Sequence, residues 1–320
     1  MTVSRALRDP GKVSTKLRDR INRAISELNY IPDPNARALA SARTEVIGVI
    51  VPSLSNSVFS DVLRGIYKGV AGTNWHIQIG NSRYSTEEEE KLVRLFIGQG
   101  PTALIVTGID QTDTTRTLLE KAACPVVQIM ELTDTPIDMV VGFDHQAAAK
   151  DMVGHLVDNG YRRIAAISAR MDPRVQRRQE SCRAALQEAG LYDPDLEIST
   201  DAPSSTTTGR QLVEKMLKSH PDIDAFFCHN DDLALGCLFA CQAAGLRIPE
   251  DIGISGFNDM EFMTSACPPL TSITTHRFEM GKQAVDLALQ TADGKIPTRQ
   301  IINLGYDLAP RESTGRRSKP

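Results

Sequence analysis

From Val46 onward the chain alternates short, almost wholly apolar runs with amphipathic stretches of helical length. The runs are VIGVIVP, HIQIGN, ALIVTG, PVVQIM and MVVGF, then RIAAIS, DAFFCHN and IGISGF. Strands without polar alternation are buried on both faces, and strands separated by helices build parallel sheets from βαβ units. So many strands exceed a typical open sheet, so the pattern predicts two similar α/β lobes in succession. The first is expected at about 46–143 and 276–292, the second at about 144–273 and 297–312. LTSITTH and TRQIINLGYDL are expected to cross back between them. In SVFSDVLRGIYKGV, Val58, Val62, Ile66 and Val70 share a helix face, which suits core packing or a symmetric interface.

Before Val46 the pattern is helical. Leu17, Ile21, Ala24, Ile25 and Leu28 recur at helical spacing after Ser14, a natural N-cap. Tyr30-Ile31-Pro32 breaks that helix, and Asp33-Pro34 opens an Ala-rich segment, a predicted helix over 34–42. A helix that short is marginal unless something packs on it. At the start, Thr2-Val3-Ser4-Arg5, stopped by Asp9-Pro10, has the form of the second helix of a helix-turn-helix without its first. The expected fold is therefore a small, N-terminally incomplete all-α headpiece over 1–44, then two doubly wound parallel-sheet lobes over 45–320.

Charge sharpens this division. The chain has a net charge of −4, yet residues 1–44 hold nine Lys/Arg against four acids. A basic head on an acidic body suits a head that meets a polyanion, although a solvated charged surface reads equally well from composition alone. Neither a long apolar span nor a secretion signal is visible, and the six cysteines show no C-x-x-C spacing, which fits reduced thiols in the cytoplasm.

Six strings then carry a resemblance: TVSRALRDPGKVS, LNYIPDPNARALASART, IGVIVPSLSNSVFSDVLRGI, GFDHQAAAKDMVGHLVDNGYRRIA, CHNDDLALGCLFACQAAGLRIPEDIGISGFND and PPLTSI. In this order they resemble the lactose-repressor (LacI) family of transcription regulators, with a periplasmic-binding-protein-like body. The resemblance implies a homodimeric repressor that binds operator DNA and senses a small sugar or sugar acid, with no cofactor and no membrane partner. Met1, Thr2, Ser4 and Arg5 would face base edges in the major groove. Ser14, Asn22 and Tyr30 would contact phosphate or sugar, although Ser14 reads equally as a cap. The 34–42 segment resembles the family's hinge helix, with Asn35, Arg37 and Leu39 among the DNA contacts and Leu39 wedged into the minor groove. The missing first helix leaves two readings open: Met1 is internal to a longer chain, or this is a cytoplasmic sugar-acid-binding protein without a grip on DNA.

Polar residues at strand ends are the candidate effector contacts: Ser53, Ser55, Phe59, Tyr84, Asp144 and Arg174 from position, the last alternatively a surface charge. By resemblance, Arg178, Asn230, Asp231 and Asn258 would bond effector hydroxyls and Phe143 would stack on the ligand. Asn258 stands where many relatives have Asp. Two arginines beside a neutralised acid suit a carboxylate or phosphate. GFDHQ, SARMDPR and NLGYDLAP look similar to the gluconate-utilisation repressors, so gluconate or another sugar acid, free or phosphorylated, is the expected effector. An enzyme is not expected: there is no nucleophile elbow, phosphate-binding loop or metal-binding His pair, and adjacent Asp231 and Asp232 point apart. A periplasmic sugar receptor shares the body but not the basic head.

Overall fold

The computed structural model describes residues 10–28, 44–295 and 299–315. The chain divides into two units, Met1–Thr44 and Glu45–Pro320.

In the first unit, helix α1 (Thr15–Glu27) follows Ser14, whose backbone takes the N-cap position while its hydroxyl makes no capping bond. Ile21 is buried and Asn22, about 100° further round the helix, is exposed. Met1, Thr2, Ser4, Arg5, Tyr30, Asn35, Arg37, Leu39 and the expected helix 34–42 lie outside the described residues.

The second unit holds two parallel sheets. Strands β1 (Val46–Val51), β2 (His76–Asn81), β3 (Ala103–Thr107), β4 (Val126–Ile129) and β5 (Met139–Gly142) build the first sheet, with β11 (Ile301–Asn303) at its edge. Its order is β11-β5-β4-β3-β1-β2, parallel throughout. Strands β6 (Ile164–Ala169), β7 (Glu197–Thr200), β8 (Ala225–Cys228) and β9 (Gly253–Ser255) build the second, in the order β7-β6-β8-β9. Burial of β1, β3, β4, β6 and β8 on both faces explains why their sequences show no alternation.

Helices α2 (Val58–Gly69), α3 (Thr86–Gly98) and α4 (Asp113–Glu120) connect the strands of the first lobe. Helices α5 (His145–Asp158), α6 (Pro173–Glu188), α7 (Thr206–Ser219), α8 (Asp231–Ala243) and the short α9 (Glu261–Ser265) serve the second. Strand β10 (Ser272–Thr275) then leads into α10 (Arg277–Ala292), which returns to the first lobe and packs on α2. That crossing needs two glycines: a Cβ on Gly65 would strike the Phe278 carbonyl, and one on Gly281 the Val62 carbonyl. Val62 and Ile66 are completely buried in this contact, so the apolar stripe of α2 serves core packing.

One boundary differs from expectation. Residues 297–312 were expected in the second lobe, but β11 pairs in register with β5 and closes the edge of the first sheet. The physical reason is that β5 would otherwise leave a row of unpaired backbone groups, which Ile301–Asn303 satisfy. Only after β11 does the chain return, as β12 (Tyr306–Ala309) pairs antiparallel with β10 and Ser313 donates to the Ile254 carbonyl at 2.6 Å.

Candidate effector site

The carboxyl ends of β1–β4 face those of β6 and β8 across a cleft, and helix α6 supplies most of what crosses it. Asp172 accepts from the Arg174 amide at 3.2 Å and Pro173 occupies the first turn, so capping and proline together fix where α6 begins. Just before that start and along the helix, arginines line the cleft side. The Arg170 guanidinium lies 4.1 Å from the centre of the Tyr84 ring of the first lobe, and that of Arg174 lies 5.8 Å from Phe59. Arg177 spans two first-lobe carboxylates, Asp110 after β3 and Glu131 after β4, the latter at 3.1 Å. Burial raises the Glu131 carboxyl to about 7, with Arg177 opposing the rise.

Arg178 behaves differently. It is 4% exposed, yet its hydrogen bonds go to neutral acceptors, His145 Nδ1 at 3.1 Å and Asn230 Oδ1 at 3.5 Å. His145 Nε2 lies 2.8 Å from the Met130 carbonyl, which only accepts, so the proton sits on Nε2 and Nδ1 is free to accept from Arg178. Burial, then the Arg178 charge, holds His145 well below the usual imidazole range, consistent with that neutral ring. The guanidinium also stacks 4.4 Å over Phe257. Burial pulls the Arg178 pKa down to about 10, a sign of how poorly compensated the charge is. Arg174, by contrast, is held by Asp172 at 3.1 Å; burial lowers its pKa, but Asp172 and then Tyr84 outweigh this and the net shift is upward.

These groups surround two spaces. An inner pocket of about 30 Å³ is lined by Asn56, Phe59, Tyr84, His145, Asp172, Arg174, Arg178, Asn230 and Asn258, among others. An outer chamber of about 300 Å³ shares Tyr84, Asp172 and Arg174 with it. Of the residues singled out from the sequence, Phe59, Tyr84, Arg174, Arg178, Asn230 and Asn258 therefore meet at one place. Tyr84 Oη accepts from Asn56 at 3.1 Å, and Asn258 Nδ2 points to Asn230 Oδ1 at 3.5 Å. Asn258 holds φ at 111°, a strained backbone for a non-glycine residue and one that marks functional sites.

The other five do not reach the inner pocket. Phe143 is completely buried, its ring centre 4.1 Å from that of His145, and His145 takes the cavity position in its place. Asp144 is exposed and spends its carboxylate capping α5, accepting from Gln146 N at 2.8 Å and Ala147 N at 3.0 Å. Ser53 Oγ closes its own turn by accepting from Ser55 N and Asn56 N, and Ser55 is exposed. Asp231 accepts from Met260 N at 2.7 Å and Ser272 Oγ at 2.8 Å, which pins the α8 start to the N-cap of α9 and the first residue of β10; burial raises it to about 6. Sequence reasoning missed Asn56, His145, Asp172 and Arg177. Only Asp172 carried a local signal, the Asp-Pro start of a helix.

A two-lobed α/β body with a cleft of buried arginines and amides defines a periplasmic-binding-protein-like small-molecule sensor. The model of the periplasmic binding protein-like domain matches residues 153–314, and that of bacterial regulatory proteins of the lacI family matches residues 1–33. The HTH-type transcriptional regulator GntR of Pseudomonas aeruginosa is 38% identical over 314 residues, covering 98% of this chain and 92% of that protein. A LacI-family transcriptional regulator from Silicibacter pomeroyi superposes with a TM-score of 0.94 at 33% identity, over 99% of this chain and 96% of that one. The lac repressor dimer bound to operator and the anti-inducer ONPF gives 0.85 at 25% identity, over 98% and 94%. The chain belongs to the lacI family of bacterial regulatory proteins, and it is a transcriptional regulator, not an enzyme. Among the described residues no helix is long and apolar enough to cross a membrane.

Proposed function

We propose that this protein is a cytoplasmic repressor that binds operator DNA as a homodimer and changes its operator affinity when a gluconate-like sugar acid enters the cleft. The observation that carries the sugar-acid part is Arg178, a buried guanidinium whose hydrogen-bond partners are neutral. A buried charge is costly until an opposite charge pairs with it, and guanidinium pairs with a carboxylate through two parallel bonds. The amides of Asn230 and Asn258 complete a wall that accepts hydroxyls. The likeness of GFDHQ, SARMDPR and NLGYDLAP to gluconate-utilisation repressors supports the same effector.

The switch is a population shift. The first lobe meets the second through Arg170, Arg174 and Arg177, so a ligand that bridges the same faces biases how the lobes sit. Moving such an equilibrium from 1:99 to 99:1 takes about 5.5 kcal/mol of differential binding, which a paired buried arginine with several hydroxyl contacts supplies. The test is fluorescence anisotropy on DNA from the promoter the protein controls, across a salt series, with gluconate or glucose added. Operator affinity falling steeply with salt, and changing with gluconate but not glucose, is the expected result. Affinity that ignores both salt and gluconate would sink the reading.

A further inference from the structure

Arg277 stands where helix electrostatics disfavours it. It is the first residue of α10, at the end of the helix dipole that repels cations, and it is buried. Its contacts explain what keeps it there. Nη1 donates to the Asn258 carbonyl and to Thr275 Oγ1, the latter at 2.7 Å. Nη2 donates to Asp61 Oδ2 at 2.9 Å, and Asp61 lies in the first turn of α2. One planar fork therefore grips a residue of the inner pocket and a helix of the first lobe at once. The compact point charge of a lysine would not reproduce that span.

The two ends of this link differ in kind. Asn258 lines the inner pocket on a strained backbone, held by its carbonyl's bond from Arg277 and its own amide's bond to the Ile273 carbonyl at 3.0 Å. Helix α2 moves as a unit, because Gly65 and Gly281 bring it against α10 too closely for any side chain between them. Along the chain the headpiece leads into β1 and then into α2. Resting on the sugar-acid and operator-binding reading above, we infer that Arg277 is a positioning residue that couples the pocket to the first lobe: an effector on the Asn258 side chain alters how the Asn258 carbonyl sits, Arg277 follows the carbonyl, and Asp61 passes the change to α2. Such a coupling is reciprocal, so operator DNA changes gluconate affinity by the same factor as gluconate changes operator affinity.

The test uses the full chain and two readouts: calorimetric affinity for D-gluconate without DNA, and the ratio of operator affinities with and without gluconate. Asp61→Asn is the informative variant, because Asp61 is partly exposed and lines neither space of the cleft. Its gluconate affinity stays within about threefold of the unaltered protein, while its operator ratio shrinks at least about fivefold. Asp61→Glu keeps the ratio. Arg64→Ala also keeps it, although Arg64 is the other ion-pair partner of the same carboxylate, at 3.0 Å. Arg277→Lys keeps the charge, loses the fork and shrinks the ratio as Asp61→Asn does. Should Arg277→Lys fold poorly, the comparison of Asp61→Asn with Arg64→Ala decides by itself. Asp61→Asn with a full operator ratio, whatever its stability, makes Arg277 a structural brace and overturns the inference. Equal loss of the ratio in Asp61→Asn and Arg64→Ala assigns the effect to charge at the start of α2 and overturns it too, as does loss of gluconate binding in Asp61→Asn. An unaltered protein that binds gluconate and operator with no influence of one on the other overturns the switch reading and the inference together.

Discussion

Glu131→Gln is the substitution whose effect is best determined by the structure. The carboxyl is 4% exposed, and burial lifts it from 4.5 to about 7 even with Arg177 at 3.1 Å. The sign follows from proton counting. Between pH 4.5 and about 7 the folded protein keeps a proton on Glu131 that the unfolded chain has released, so stability falls as pH rises through that window and levels off above it. The gap corresponds to roughly 3 kcal/mol at pH 8. Glutamine keeps the shape and never ionises, so Glu131→Gln gains up to roughly that amount relative to the unaltered protein between pH 5 and pH 8. Arg177→Ala removes the charge that opposes the rise and carries the transition above pH 7. Urea unfolding midpoints at half-unit pH intervals provide the assay. A stability difference between Glu131→Gln and the unaltered protein that stays flat from pH 5 to pH 8 would refute the reasoning.

Other consequences follow from single residues. Asn258→Asp restores a carboxylate beside Asn230 in the inner pocket, so gluconate affinity drops at least about tenfold in calorimetry while thermal stability stays close to the original. Gly281→Ala drives a methyl into the Val62 carbonyl at the α2–α10 crossing, and the loss is about 3 kcal/mol or more, read as a lower unfolding midpoint. Asp231→Asn leaves one of its two bonds, to Met260 N or Ser272 Oγ, without its charged acceptor and lowers stability by about 1–3 kcal/mol, read as a lower unfolding midpoint.

Much of the architecture was legible because buried parallel strands carry no polar alternation. VIGVIV and IAAISA are apolar on both faces and could be placed by texture. Ile301–Asn303 could not, because three residues at a sheet edge have too little pattern to say which sheet they join. At the site, Arg178, Asn230 and Asn258 came from resemblance and stand together in the structure. Phe143, taken from resemblance, and Asp144, taken from position, show the limits of both routes. Both sit at the right strand end, but adjacent positions point in different directions, and His145 is the one facing Arg178. Arg177 was invisible from sequence because its meaning lies in Asp110 and Glu131, each far from it along the chain.

The central claim is that a buried, poorly compensated Arg178 anchors a sugar acid. Calorimetric titration of D-gluconate into the unaltered protein and into Arg178→Met tests it most directly. Removing one partner of a buried charge pair costs about 2–5 kcal/mol, so the account predicts an affinity loss of about a hundredfold, with gluconate-dependent change of operator binding lost in the same variant. Gluconate bound equally well by both proteins would contradict it.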